Sequence, residues 1–199
     1  MRTQAAMAHP LHRQSVTVHA RSQLSYGDVS LAMTDYRGGL TPRGDGGRSP
    51  RITDENLFRY LIDFEVQKAL RLQYCVSVVQ LGADVASGDP NRLSRPHVFD
   101  ALLRTTRATD VVTALPESSF GVLLIDADTT ALNAIVRRLR SELGAVTGAP
   151  APGQRGLTWS AGAACYPKTA ISPADLIRQA RDLMTRARDE GGDRFYIAS

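Results

Sequence analysis

The chain has 199 residues, 43% of them hydrophobic and 6% aromatic, with a formal net charge of +4. That length suffices for one domain with its own core, filled mostly by Leu, Val and Ala. No run of about 18 apolar residues is present, which excludes a transmembrane helix and insertion into a membrane.

The opening stretch, MRTQAAMAHPLHRQ, lacks the apolar segment of a signal peptide, so the cytoplasm is the expected location. Residues 1–50 carry six Arg against three Asp, and the remainder is nearly neutral. A near-neutral folded part argues against a broad nucleic-acid surface. Residues 37–50 are rich in Gly and Pro and have almost nothing to bury, so residues 1–50 are expected to be a mobile tail or linker.

Order begins near Thr53. Thr53 or Asp54 can cap a helix, and Leu57, Phe58, Leu61, Ile62, Val66, Ala69 and Leu70 follow at helical spacing. Glu65 and Lys68 fall on its solvated face. Residues 74–81 read as a buried strand, followed by a polar loop with Gly88, Pro90 and Pro96. Val98, Leu102 and Leu103 mark a second helix running to about Thr106.

Residues 110–115 and 120–125 are apolar strands with only Pro116, Glu117, Ser118 and Ser119 between them, which predicts an antiparallel hairpin. A third helix covers roughly residues 129–143, with Leu132, Ile135, Val136 and Leu139 inward and Arg137, Arg138 and Arg140 on its other sides. A loop over 144–156 leads to a strand at 157–164, a helix that starts at Ser172, and a short strand at 194–197. Trp159 on the penultimate strand reads as a core residue. This order predicts an α/β fold, a mixed central sheet flanked by helices, in one domain over 51–199.

Cys75 and Cys165 lie in apolar runs without CxxC spacing and read as separate buried thiols. His9, His12, His19 and His97 form no pair at metal spacing, so no metal is expected.

Four segments resemble the GGDEF domain of diguanylate cyclases, over residues 54–199. The hairpin Thr113-Ala-Leu-Pro-Glu-Ser-Ser-Phe-Gly-Val-Leu-Leu124 aligns with the family's R-x-G-G-D-E-F and its apolar sequel. Thr158-Trp-Ser-Ala-Gly-Ala-Ala-Cys-Tyr-Pro167 is similar to the strand S-x-G-x-a. Residues 176–188 follow the pattern of the family's last helix, and Gly192-Asp-Arg-Phe195 that of its closing G-x-N-R. The Gly-Gly-Asp at 191–193 belongs to that closing motif and is not the signature.

The resemblance implies a reaction that joins two GTP molecules, with carboxylates holding two divalent metals against the triphosphate. Those groups are missing at the matching positions. Gln80 stands where the first strand's D-x-D-x-F-K has its carboxylate, with Asp84 displaced from it. Ser118 and Ser119 replace the acidic pair of the signature, and Pro116 and Glu117 replace its glycines. The guanine-holding pattern is gone from 85–95, and a lysine of the last helix becomes Arg188. The expectation is a degenerate domain without cyclase activity, catalytic residues or cofactor.

The resemblance also implies an inhibitory site for cyclic di-GMP, R-x-x-D, ending five residues before the signature. Arg107-Ala-Thr-Asp110 has that register, and Arg138 on the next helix matches a further family arginine. An arginine fork can donate to guanine O6 and N7, and a carboxylate can accept from N1–H and the 2-amino group. The expected ligand is therefore cyclic di-GMP, held by Arg107, Asp110 and Arg138, with a protein partner or a second copy of the chain as the downstream contact. The competing reading is a ligand-free scaffold for protein interaction. Residual GTP binding without turnover ranks third, since Pro116 and Glu117 obstruct the phosphate turn.

Overall fold

The computed structural model describes residues 51–84, 93–147 and 156–199. The expected tail over 1–50 lies outside the described residues, as do most of the loops over 85–95 and 144–156.

Among the described residues, six strands, β1 (Ile52–Thr53), β2 (Val76–Asp84), β3 (Val111–Leu115), β4 (Ser119–Ile125), β5 (Thr158–Tyr166) and β6 (Phe195–Ile197), form one sheet in the order β1-β3-β4-β2-β5-β6. β2, β3, β4 and β5 pair antiparallel, while β1 runs parallel to β3 and β6 parallel to β5. The helices described are α1 (Glu55–Leu72), α2 (Arg95–Thr105), α3 (Thr129–Thr147) and α4 (Pro173–Asp189), and they cover the sheet. The mixed α/β architecture expected from the sequence is present.

β2 is buried on both faces, which is why its sequence is apolar without alternation. Val79, Leu81 and Ala83 face a core with Leu102 of α2 and Val136 and Leu139 of α3. Val76 and Val78 face the opposite core, with Phe58, Ile62 and Val66 of α1 and Leu176 and Ala180 of α4. Trp159 is 2% exposed and lies in the first core against Phe120. The strand runs on to Asp84 rather than ending at Leu81, because β5 continues to pair with it as far as Thr158.

The helix ends follow local chemistry. Asp54 caps α1 by accepting from Leu57 N at 2.8 Å, and Gln73 ends it at φ 58°, donating its N–H to Ala69 O. Ser172 caps α4 by accepting from Asp175 N at 3.1 Å. β1, two residues long, has no signal in the sequence; it forms because Arg51 O accepts from Val112 N at 2.8 Å. Glu65, expected to be solvated, instead accepts the Tyr74 hydroxyl at 2.6 Å and Lys68 Nζ at 2.8 Å. Burial and the Glu65 carboxylate push the Tyr74 hydroxyl well above its ordinary range.

Gly162 on β5 faces α4 so closely that a Cβ would lie 2.3 Å from Met184 N and also overlap Ala180 O. Both are backbone atoms and cannot swing aside. Gly162→Ala is therefore expected to push α4 off the sheet and cost about 3 kcal/mol, seen as a lower urea midpoint.

The carboxyls of Asp128 and Asp175 sit below their ordinary range, held there first by the N–H groups of Ala131 and Ile171 respectively. A depressed folded value means that their stabilisation is complete above the unfolded value of about 3.9 and is lost as pH falls through the folded one. Asp128→Asn combined with Asp175→Asn should flatten the decline of Tm between about pH 4 and pH 2.

Candidate functional site

Two places carry chemistry-bearing side chains. The first is a cleft of about 750 Å³ at the tip of the β3–β4 hairpin, where Asp84, Glu117, Ser118, Thr158, Arg188 and Asp193 meet. The hairpin turn keeps left-handed backbone at Glu117 (φ 56°) and Ser118 (φ 53°). Such angles cost non-glycine residues roughly 1–2 kcal/mol each. Ser119 fastens the turn by donating both its N–H and its hydroxyl to Pro116 O, at 3.2 and 2.6 Å.

Gln80 is buried, 6% exposed, between Gly121 of β4 and Gly162 of β5. Asp84 lies four residues along the same strand, hence on the same face of the sheet. It is no loop residue free to shift into the Gln80 position. Its Oδ2 accepts from Thr158 Oγ1 (3.1 Å), Ser160 Oγ (3.0 Å) and Asp193 N (2.9 Å). Its Oδ1 faces Arg188 Nε at 3.7 Å.

Gly82 makes room for that arginine: a Cβ there would overlap Arg188 Nη2 and lie 3.0 Å from Met184 Sδ. Asp84 Oδ1 and Arg188 Nε and Nη2 are buried without a hydrogen-bond partner. The ion pair is thus held at Coulombic range but not closed by a hydrogen bond. Asp84 joins the end of β2, the start of β5, the end of α4 and the Gly191–Asp193 turn. The sequence points to Asp84 only as a displaced carboxylate; its three donors come from residues 74 to 109 positions away.

Among the described residues, no group of three or more His, Cys, Asp or Glu could hold a metal ion. The Asp84 cluster does not fit a divalent cation either, since one oxygen is saturated by donors and the other faces a guanidinium.

The second place is the turn between α2 and β3. Arg107 is exposed, and its side chain makes no hydrogen bond or ion pair among the described residues. Asp110 is 3% exposed and closes the turn: Oδ2 accepts from Arg107 N at 2.7 Å, and Oδ1 from Ile125 N at 3.2 Å. Arg138 reaches the same place from α3, donating from Nη2 to Thr105 O at 2.7 Å.

A third arginine, not anticipated from the sequence, joins them. Arg51 Nη1 donates to Arg107 O at 2.6 Å, and its Nη2 to Leu103 O at 3.0 Å. Arg51 and Arg138 thus satisfy carbonyls at the C-terminal end of α2, where the helix dipole favours cations. The structure therefore brings together all three residues singled out in the sequence. Arg107 faces solvent, Arg138 is partly committed to α2, and Asp110 is buried beneath the turn.

Residues 96–194 match the family model described as Diguanylate cyclase, GGDEF domain. None of the curated proteins matches the sequence. Among solved structures, the chain is similar to the GGDEF domain of YfiN (TpbB) from Pseudomonas aeruginosa, at 19% identity and TM-score 0.61, covering 74% of this chain and 96% of that one. It is also similar to the coiled coil and GGDEF domain of DgcB from Caulobacter crescentus in complex with c-di-GMP, at 12% identity and TM-score 0.65, covering 86% and 93%. A third is the active GGEEF domain of a diguanylate cyclase from Vibrio cholerae, at 11% identity and TM-score 0.62, covering 73% and 97%. At these identities the structures establish a shared fold.

Removing the Asp84 carboxylate strands two hydroxyls, one N–H and a guanidinium. Asp84→Ala is expected to cost about 3 kcal/mol in urea unfolding. A double-mutant cycle with Arg188→Met should return a coupling of about 1 kcal/mol or more.

Proposed function

We propose that the chain, whose residues 96–194 match the GGDEF family model, is a catalytically silent member of that family that receives cyclic di-GMP at the Arg107–Asp110 turn. The observation that carries this reading is the convergence of Arg107, Arg138 and Arg51 on one helix end, with the Arg107 guanidinium uncommitted. A cationic turn suits an anionic dinucleotide, and an arginine fork suits the Hoogsteen edge of guanine.

In this reading Arg107 contacts the base and Arg138 adds charge and a second donor. Asp110, buried beneath the turn, fixes it by two backbone bonds and acts by positioning Arg107 rather than by touching the base. The solved complex of DgcB with c-di-GMP supports the choice of ligand by likeness of fold.

The first cleft supports the silent reading. A two-metal phosphoryl transfer needs carboxylates that clamp attacking and leaving oxygens. Gln80 and Ser119 stand at two such positions, and the Arg188 guanidinium occupies the space beside Asp84. Glu117 adds negative charge at the turn over which phosphates would lie.

One observation favours the alternative, a scaffold that works by protein contact alone. Tyr60 and Phe64 stack on the outer face of α1, and Leu70 and Leu72 at its end are 60% and 67% exposed. The location is bounded only by the lack, among the described residues, of any helix long and apolar enough to cross a membrane.

Calorimetric titration of the full chain separates the readings. The receptor reading expects cyclic di-GMP to bind with Kd of about 1 µM or tighter, and GTP with magnesium to give neither heat nor product. Arg107→Ala should weaken binding by about 10- to 100-fold with Tm unchanged, the loss of one charged hydrogen-bonding fork. Absence of heat from the dinucleotide with a folded sample would leave the scaffold.

A further inference from the structure

Cys75 and Cys165, which read as unrelated thiols in the sequence, are neighbours in the sheet. Cys75 immediately precedes β2, and Cys165 is the penultimate residue of β5. The antiparallel register sets Ser77 opposite Cys165 and Val76 opposite Tyr166. Cys75 lies two residues from Ser77, on the same face of the sheet, so it is the diagonal neighbour of Cys165.

The packing agrees with that register. Cys165 is fully buried in the α2–α3 core with Val79 and Ala163, and Cys75 packs against the same cluster. Val76, Ala164 and Tyr166 turn to the opposite core. Ala127 O lies 3.8 Å from Cys165 Sγ and accepts the Ser77 hydroxyl at 2.6 Å, so both strands meet one loop here. Burial, then the charge and hydrogen bond of the Cys165 thiol, hold the Cys75 thiol above its ordinary range. Both cysteines are free, Cys75 half-buried and Cys165 buried.

We propose that Cys75 and Cys165 are a reversible dithiol–disulfide pair, closed by a low-molecular-weight disulfide such as oxidised glutathione. The Cys75 sulfur, the more accessible, attacks one sulfur of glutathione disulfide. A Cys75–glutathione bond forms, the glutathione S–S bond breaks, and the Cys75 proton passes to the first glutathione released. The Cys165 sulfur then attacks the Cys75 sulfur and expels the second glutathione, which takes the Cys165 proton. The protein loses two electrons and two protons, and one glutathione disulfide becomes two glutathione thiols.

A diagonal pair begins with its Cβ atoms farther apart than the roughly 3.5–4.5 Å of a disulfide. Cys75 can supply the movement, because it lies in the short segment between the left-handed end of α1 at Gln73 and the first paired residue, Val76. The bond would staple the start of β2 to the end of β5 and close a loop of about 90 residues, the long-loop case in which the unfolded chain is most constrained.

The test incubates the native full chain with oxidised glutathione at about pH 9.5, above the ordinary thiol range because Cys75 is held above it, followed by intact mass and non-reducing peptide mapping. The expected result is a loss of about 2 Da, a cross-linked pair of peptides bearing Cys75 and Cys165, a higher Tm, and reversal by dithiothreitol. Cys165→Ser should instead accumulate glutathione on Cys75. Native wild-type protein that keeps a glutathione on Cys75 while Cys165 still titrates as a thiol would overturn the proposal. So would native protein that stays unmodified when the same sample reacts fully in urea.

Discussion

β2 lies between β4 and β5 with both faces covered, so the peptide groups of Val76–Asp84 have no water to bond and depend on their two neighbours. Each amide left unpaired there would cost on the order of 1–3 kcal/mol. That constraint sets the register of the sheet, and the register sets everything else. It places Val79 and Leu81 toward α2 and α3, and Val76 and Val78 toward α1 and α4. It also brings the hairpin tip, the Asp84 carboxylate and the start of β5 to one end, and both cysteines to the other.

At the tip, one carboxylate does for the domain what backbone pairing does further along. Asp84 gathers donors from β5 and from the Gly191–Asp193 turn, and Arg188 comes down from α4 beside it. Gly192 lets the turn approach: its φ is 74°, and a Cβ would meet Asp84 Oδ2 at 2.9 Å. The cleft at the hairpin tip is thus cross-braced by protein charge. The arginine turn on α2 is built differently. Its carboxylate is sunk under the backbone, while its guanidiniums are arrayed around a helix end.

Much of this was legible in the sequence because it depends on short-range patterns. Helical spacing in residues 57–70, the apolar run before Asp84 and the short polar gap between the apolar runs at 110–115 and 120–125 specified the main elements. The fixed offset of Arg107 and Asp110 from the hairpin singled out the arginine turn. What was not legible depends on register and distance. Two residues of β1 carry no periodicity. Arg51 reaches α2 from 52 to 56 positions away. Asp84 looked like a loop residue because the strand's apolar run weakens at Gly82, and only pairing with Thr158 extends it. The thiols looked separate because 90 positions lie between them.

The outermost strands have a bearing on how such domains can associate. Among the described residues, the sheet's flanks are β1, which offers two residues, and β6, which offers three. Strand-to-strand addition needs a longer row of unpaired amides to act as a template. Among the described residues, growth of the sheet by a second chain, the common first step toward amyloid-like stacking, finds little purchase. Side chains on the helices, such as Tyr60 and Phe64 of α1, are open to solvent instead, where charge and shape can discriminate between partners.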